Sequence, residues 1–293
     1  MGFPACGLAG REVLTRKREK REGGVTRYLR LWFALGKFGL LREMAFRGNF
    51  LARLAVEVLW FGIMLIFYDA IFAQTAGNPV AGWGRYEYYF FVGCYFALGG
   101  LIETLFLSNC GEFADLVRSG DLDFYLLKPI DEQFLLTCRD LDWATAPNVL
   151  MGAGLMVFAL LNMPAWTFDP LLAGLFLALF VCGLGMAYSF LLLLMSTSVW
   201  LVRNQSLYEL WWLFTTLMRY PREIFRGSWE LVGRLFTYVI PIMVATNVPA
   251  NVMAKRLLDP VLVGYTFAAT AALLYLSRKF FRLALRRYRS ASS

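Results

Sequence analysis

The sequence predicts an all-α polytopic membrane protein. It has six transmembrane helices, an amphipathic interfacial helix ahead of them, and a re-entrant outer helical segment before the last span. Three observations carry that expectation. The 293 residues are 59% hydrophobic with a mean hydropathy of +0.54, where soluble domains are about half apolar. The excess is gathered in uncharged runs near the length, about 20 residues, that a hydrocarbon core of about 30 Å requires. The basic residues are gathered at the ends: 11 of the 29 Lys and Arg precede Gly48 and six follow Leu276. Charge placed this way suits anionic lipid head groups on the cytoplasmic side of an inner (plasma) membrane, not nucleic acid.

Residues 1–26, with RKREKREGG at 16–24, read as a basic cytoplasmic tail without order of its own. The tail lacks the short apolar region and small-residue cleavage site of a signal peptide. Residues 27–48 form an amphipathic helix. Arg27, Arg30, Lys37 and Arg42 fall in one arc of roughly 140°, while Leu31, Trp32, Leu35 and Phe38 occupy much of the rest. Charge this frequent excludes a crossing and places the helix in the interface. Glu43 and Arg47, four apart, are spaced to pair, and Gly48-Asn49 reads as a stop.

The transmembrane domain occupies 49–281, and 282–293 is a second basic cytoplasmic tail. Spans are expected at about 51–73, 86–109, 143–162, 170–197, 205–219 and 259–277. Residues 74–84 are an uncharged outside turn, and 110–142 are the longest polar stretch between spans. The fifth span is short, and the apolar stretch after it is interrupted by Pro241 and Pro249. If that stretch crossed, one basic end would lie outside, against the positive-inside rule. A re-entrant segment over 220–256, with Tyr220, Pro221, Pro241 and Pro249 as its gate residues, keeps both ends inside. Such backbone must be covered by protein or face water, so the segment is either a pathway lining or a lid on the outer face.

Glu57, Glu103 and Glu209 lie in or near spans, where acids are costly and mark candidate translocation-path positions. Each has a local alternative. Glu57 can pair with Arg53, Glu103 lies near the cytoplasmic end of its span, and Glu209 can pair with Arg203. The five cysteines, Cys6, Cys94, Cys110, Cys138 and Cys182, all fall outside the expected outer loops, so no disulfide framework is expected. There is no histidine, which removes the commonest general base and metal ligand, and no metal site is expected.

The sharpest string is VRSGDLDFYLLKPIDEQFL at 117–135. A short helix ends at Gly120, an apolar patch follows (Phe124, Tyr125, Leu126, Leu127), and Lys128-Pro129 stiffens the chain. An apolar, aromatic patch with acidic flanks on an inner loop is either a protein docking site or a loop folded onto the helix ends.

GDLDFYLLKPID at 120–131 resembles the signature loop of the ABC-2 type transporter permeases, in a bacterial branch of export permeases of this length. The likeness runs from the amphipathic helix to the basic tail and includes YPREIF at 220–225 and VIP at 239–241. It implies a permease subunit that pairs with a second permease subunit, itself or a paralogue, and sits on a separate cytoplasmic ABC ATPase. It further implies that Gly111, Glu112, Asp115, Gly120, Asp121, Leu122, Asp123, Phe124, Tyr125, Leu126, Leu127, Lys128, Pro129 and Asp131 belong to the element that couples to that ATPase. The chain has no GxxxxGK[ST] string. It is therefore expected to carry no cofactor of its own, with ATP held by the partner. Two other classes stand beside this one. A magnesium-dependent membrane transferase would use the pairs Asp121/Asp123 and Asp140/Asp142, and a membrane scaffold would transport nothing.

Overall fold

The structure, a computed structural model, describes residues 24–75, 78–164, 166–201, 205–225, 227 and 229–288. Most of the first basic tail, Arg203 and the end of the second tail lie outside the described residues. Among those described, the regular structure is helical apart from one isolated bridge, Val80 to Trp83. Helix α1 spans Gly24–Ala45 and α2 spans Arg47–Gln74. Helix α3, Arg85–Ile102, passes through a π-helical turn, Glu103–Leu107, into α4, Ser108–Ser119. Two short helices follow, α5 over Leu122–Leu126 and α6 over Glu132–Cys138. Helices α7 (Pro147–Asn162), α8 (Pro170–Leu201) and α9 (Gln205–Met218) come next. After a 3-10 turn, Arg222–Phe225, the chain forms α10 (Glu230–Arg234), a π turn (Leu235–Val239), α11 (Ile242–Ala254) and α12 (Pro260–Arg287).

Four of these rods are long and apolar enough to cross a membrane: Arg47–Gln74, Arg85–Ser119, Pro170–Leu201 and Pro260–Arg287. The bent pair Glu230–Val239 and Ile242–Ala254, turned by 90°, makes a fifth if counted as one broken span. Two of the expected spans are shorter: α7 has 16 residues and α9 has 14, about 24 and 21 Å of rise. Among the described residues there are thus four or five candidate spans by length and composition, as in a multi-pass membrane protein.

Three expectations about boundaries are corrected. The break between the interfacial helix and the first span falls at Phe46, and Gly48-Asn49 sit inside the first turn of α2. Glu43 does not turn to Arg47; its Oε1 accepts from the Trp143 backbone N–H at 3.0 Å. The helix of the second span and the short helix ending at Gly120 are one rod, unbroken from Arg85 to Ser119. Its polar residues there keep a helical period. Phe113, Ala114 and Val117 are buried while Glu112, Asp115 and Arg118 are exposed.

Small residues set how closely the helices approach. A Cβ on Gly152 of α7 would lie 2.4 Å from the Ala97 backbone N and 2.6 Å from the Gly93 carbonyl oxygen of α3, so the two backbones touch. Helix α11 is the most enclosed element, with every residue from Ile242 to Ala254 buried, Thr246, Asn247 and Asn251 included. It packs on α3 and α8. Pro249 lies inside this helix, so the segment breaks at Pro241 and not at Pro249 as the sequence suggests. A proline costs one backbone bond and a clash, and dense packing on all sides holds the helix through it. Helix α2 is the opposite case: only 6% of its span window is buried.

Long-range bonds sort the connections to the two ends of the bundle. At one end Trp83 Nε1 donates to Glu223 Oε2 at 3.1 Å, Lys255 Nζ to the Gly82 carbonyl at 2.7 Å, and Trp166 Nε1 to the Met253 carbonyl at 3.4 Å. At the other end Arg42 pairs with Asp140, Arg53 with Asp142 and Arg278 with Asp131.

Candidate functional site

The loop after α4 is built on a left-handed turn. Gly120, at φ +83°, caps α4, a conformation that glycine adopts without steric cost. The turn throws Leu122 back into the interior, where it is fully buried in a cluster with Phe113, Leu136 and Phe281. The expected four-residue apolar patch therefore divides. Leu126 is partly buried against that cluster. Tyr125 is covered by two cations, Lys128 Nζ at 4.6 Å and Arg139 Cζ at 5.1 Å from its ring centre. Phe124 and Leu127 are left outside, 67% and 82% exposed, with Asp121, Lys128 and Pro129 exposed around them. The ridge beside this tip carries Glu112 paired to Arg139 and Asp115 bonded to Arg118 at 2.9 Å. Gly111 lies half-buried within α4, and Asp123 lies in the first turn of α5.

Asp131 anchors the far side of the loop. Its Oδ1 accepts from the Phe134 N–H at 3.2 Å and so caps α6. Its Oδ2 accepts from Arg278 of α12 at 2.7 Å, and its own N–H donates to Tyr28 Oη of α1 at 3.0 Å. The neighbouring Gln133 donates to Tyr188 Oη of α8 at 2.8 Å and accepts from Arg278 at 3.3 Å. The tip is thus free while its base is tied to α1, α8 and α12.

Helix α1 lies against the same region. Trp143 Nε1 donates to the Gly36 carbonyl at 2.9 Å. Burial pushes the Glu43 carboxyl above its usual range. Leu29, Phe33, Phe38 and Leu41 are exposed, and so are Arg27, Arg30 and Lys37. Arg42 leaves the expected head-group face for Asp140.

Of the three predicted path acids, Glu57 accepts from Asn148 Nδ2 at 2.8 Å, and Glu103 opens the π-helical turn after α3. The pairing of Glu57 with Arg53 is not made, because Arg53 turns to Asp142. Glu209 is exposed on α9, and Arg203 lies outside the described residues. Of the gate residues, Tyr220 Oη accepts from Arg219 Nη2 at 3.1 Å, Pro221 precedes the 3-10 turn, and Pro241 stands at the 90° bend. Arg219 is the residue that the sequence reading passed over. A basic residue closing an apolar run was the available signal.

The acid pairs do not converge for transferase chemistry. Asp140 and Asp142 are spent on Arg42 and Arg53, and Asp121 accepts from Ser119 Oγ at 2.7 Å. Among the described residues no group of three or more His, Cys, Asp or Glu is placed to hold a metal ion.

A family model described as ABC-2 family transporter protein matches residues 58–292. No curated protein and no solved structure matches the chain. The matched stretch contains the bundle from the middle of α2 onward, the loop with its exposed tip and the broken outer segment. On that match the chain belongs to the ABC-2 transporter family, as a permease component that sits in the membrane.

Proposed function

We propose that the chain is the membrane subunit of an ATP-driven exporter, worked by a separate cytoplasmic ABC ATPase that docks on the tip formed by Phe124 and Leu127. The carrying observation is the contrast within one loop. Two large apolar side chains stand exposed, while Asp131 and Gln133, just beyond them in the chain, are tied to α1, α8 and α12. Exposed aromatic and aliphatic anchors with a charged rim are the features of a binding hot spot. A tip tied at its base to the transmembrane helices can pass a push from the partner into them.

The reading extends to topology. Counting α2, the α3–α4 rod, α7, α8, α9 and α12 as crossings makes six. The segment 220–256 then begins and ends on the outer face, a reading supported by Glu223 and Lys255 both bonding the 82–83 turn. Both termini and the docking tip lie in the cytoplasm, on the inner side of the plasma membrane. The exposed apolar stripe of α2 with Leu59 and Ile66 meets lipid and a second permease subunit.

The test is affinity purification of the tagged chain from its own membranes, with ATP hydrolysis assayed in the eluate. Leu127→Asp or Phe124→Asp puts a charge in a dry contact, costing on the order of several kcal/mol, and is expected to remove the ATPase while leaving the chain in the membrane. Arg118→Ala, at the rim, is expected to do much less. Undiminished ATPase in both Asp variants contradicts the docking site.

A further inference from the structure

Arg219 follows the last turn of α9, and its Nη1 lies 3.8 Å from Met64 Sδ. Met64 stands inside α2, which runs from Arg47 to Gln74. At 1.5 Å per residue it is about 25 Å from one end of that helix and about 15 Å from the other, which places it at hydrocarbon depth. An arginine there needs a counter-charge, or it marks a site. No carboxylate among the described residues forms an ion pair with it. Glu223, four residues on, is turned instead to Trp83 and Arg222.

What surrounds the guanidinium is tyrosine. Tyr220 Oη accepts from Nη2 at 3.1 Å and its ring centre lies 5.1 Å from Cζ. Tyr68, one turn on from Met64 in α2, has a buried hydroxyl without a partner, and Arg219 Nε is likewise buried without one. Neutral rings steady a cation but do not cancel it. The cluster keeps one positive charge and an unused donor, the equipment with which arginine binds carboxylate or phosphate oxygens. Beside it the α2 face is apolar and exposed at Trp60, Ile63 and Phe67.

We propose that Arg219, with Tyr68 and Tyr220, recognises the anionic group of an amphiphilic substrate whose apolar body lies along α2. This rests on the permease reading and names the substrate class for it.

The test uses the full chain in phosphatidylcholine nanodiscs, with fluorescent phosphatidic acid and the matched fluorescent diacylglycerol as probes. A charged hydrogen bond is worth about tenfold or more in affinity. Wild type is expected to prefer phosphatidic acid by about tenfold, Arg219→Gln by less than about twofold, and Arg219→Lys by an intermediate ratio because the charge stays and the fork is lost. Thermal melting of each variant separates lost binding from lost fold, and should Arg219→Gln unfold, Arg219→Lys is the variant read. Millimolar glycerol phosphate is expected not to displace the lipid, and full displacement overturns the amphiphile assignment. Equal binding of both probes by wild type, or an unchanged preference in both Arg219 variants, overturns the site. Leu127→Asp should keep the lipid preference while losing the ATPase, so failure here is distinct from failure of the permease reading.

Discussion

Asp131 shows how much one side chain can be asked to do in this fold. It caps α6, takes the charge of Arg278, and through its backbone holds Tyr28. The ion pair is partly exposed, 44% for the arginine and 32% for the aspartate, so its own worth is at most about 1 kcal/mol. Losing an N-cap costs about 1 kcal/mol. Asp131→Ala is therefore expected to destabilise by about 1–2 kcal/mol, which the chain survives. Its larger effect falls on transmission, because the tip keeps its apolar anchors but loses its ion pair to α12, leaving the longer bond from Arg278 to Gln133. Measured on the purified complex, ATPase should still bind, while its stimulation by substrate falls. Asp131→Asn, which retains the cap and loses the charge, should melt closer to wild type and transmit poorly. Normal stimulation in both variants contradicts the role of this tie.

At the scale of the element, the contact of α3 with α7 is set by backbone, not by side chains. The nearest atoms to a Cβ at Gly152 are Ala97 N, Gly93 O and Ala97 Cα, at 2.4, 2.6 and 2.9 Å, and no rotamer change relieves them. Gly152→Ala is expected to cost about 1–3 kcal/mol as overpacking, and Gly152→Leu to prevent folding. Gly154, on the same helix, faces open space, and Gly154→Ala should melt in detergent like wild type. Equal melting of Gly152→Ala and Gly154→Ala contradicts the close crossing. Elements of this kind divide what the sequence discloses from what it hides. The starts of α8 and α12 were legible to within a residue from their apolar runs, and the loop was legible from Gly120 and Pro129. That α4 continues the second span without a break was hidden because its charges looked like those of a connecting loop, when they line one exposed face of the helix. The pairing of Arg53 with Asp142, 89 residues apart, has no local signature, so the near neighbour Glu57 looked the better partner. Arg219 was hidden for the same reason: that no acid reaches it is a fact of packing, not of spacing.

For the whole molecule, sidedness decides which partner can reach which end of the bundle. The 78–84 turn, the α7–α8 connection and both ends of the broken segment meet at one end of the bundle. The docking tip and the half of α12 that carries Arg278 meet at the other. An ATPase in the cytoplasm can act on this chain only if the second group lies inside and the first outside. Cysteine accessibility in intact cells measures this directly, starting from a variant without the five native cysteines. Asn78→Cys, Trp229→Cys and Leu257→Cys are expected to react with an impermeant maleimide in intact cells. Leu127→Cys should react only after the membrane is opened. Labelling of Leu127→Cys in intact cells, or protection of Leu257→Cys until lysis, would contradict the account.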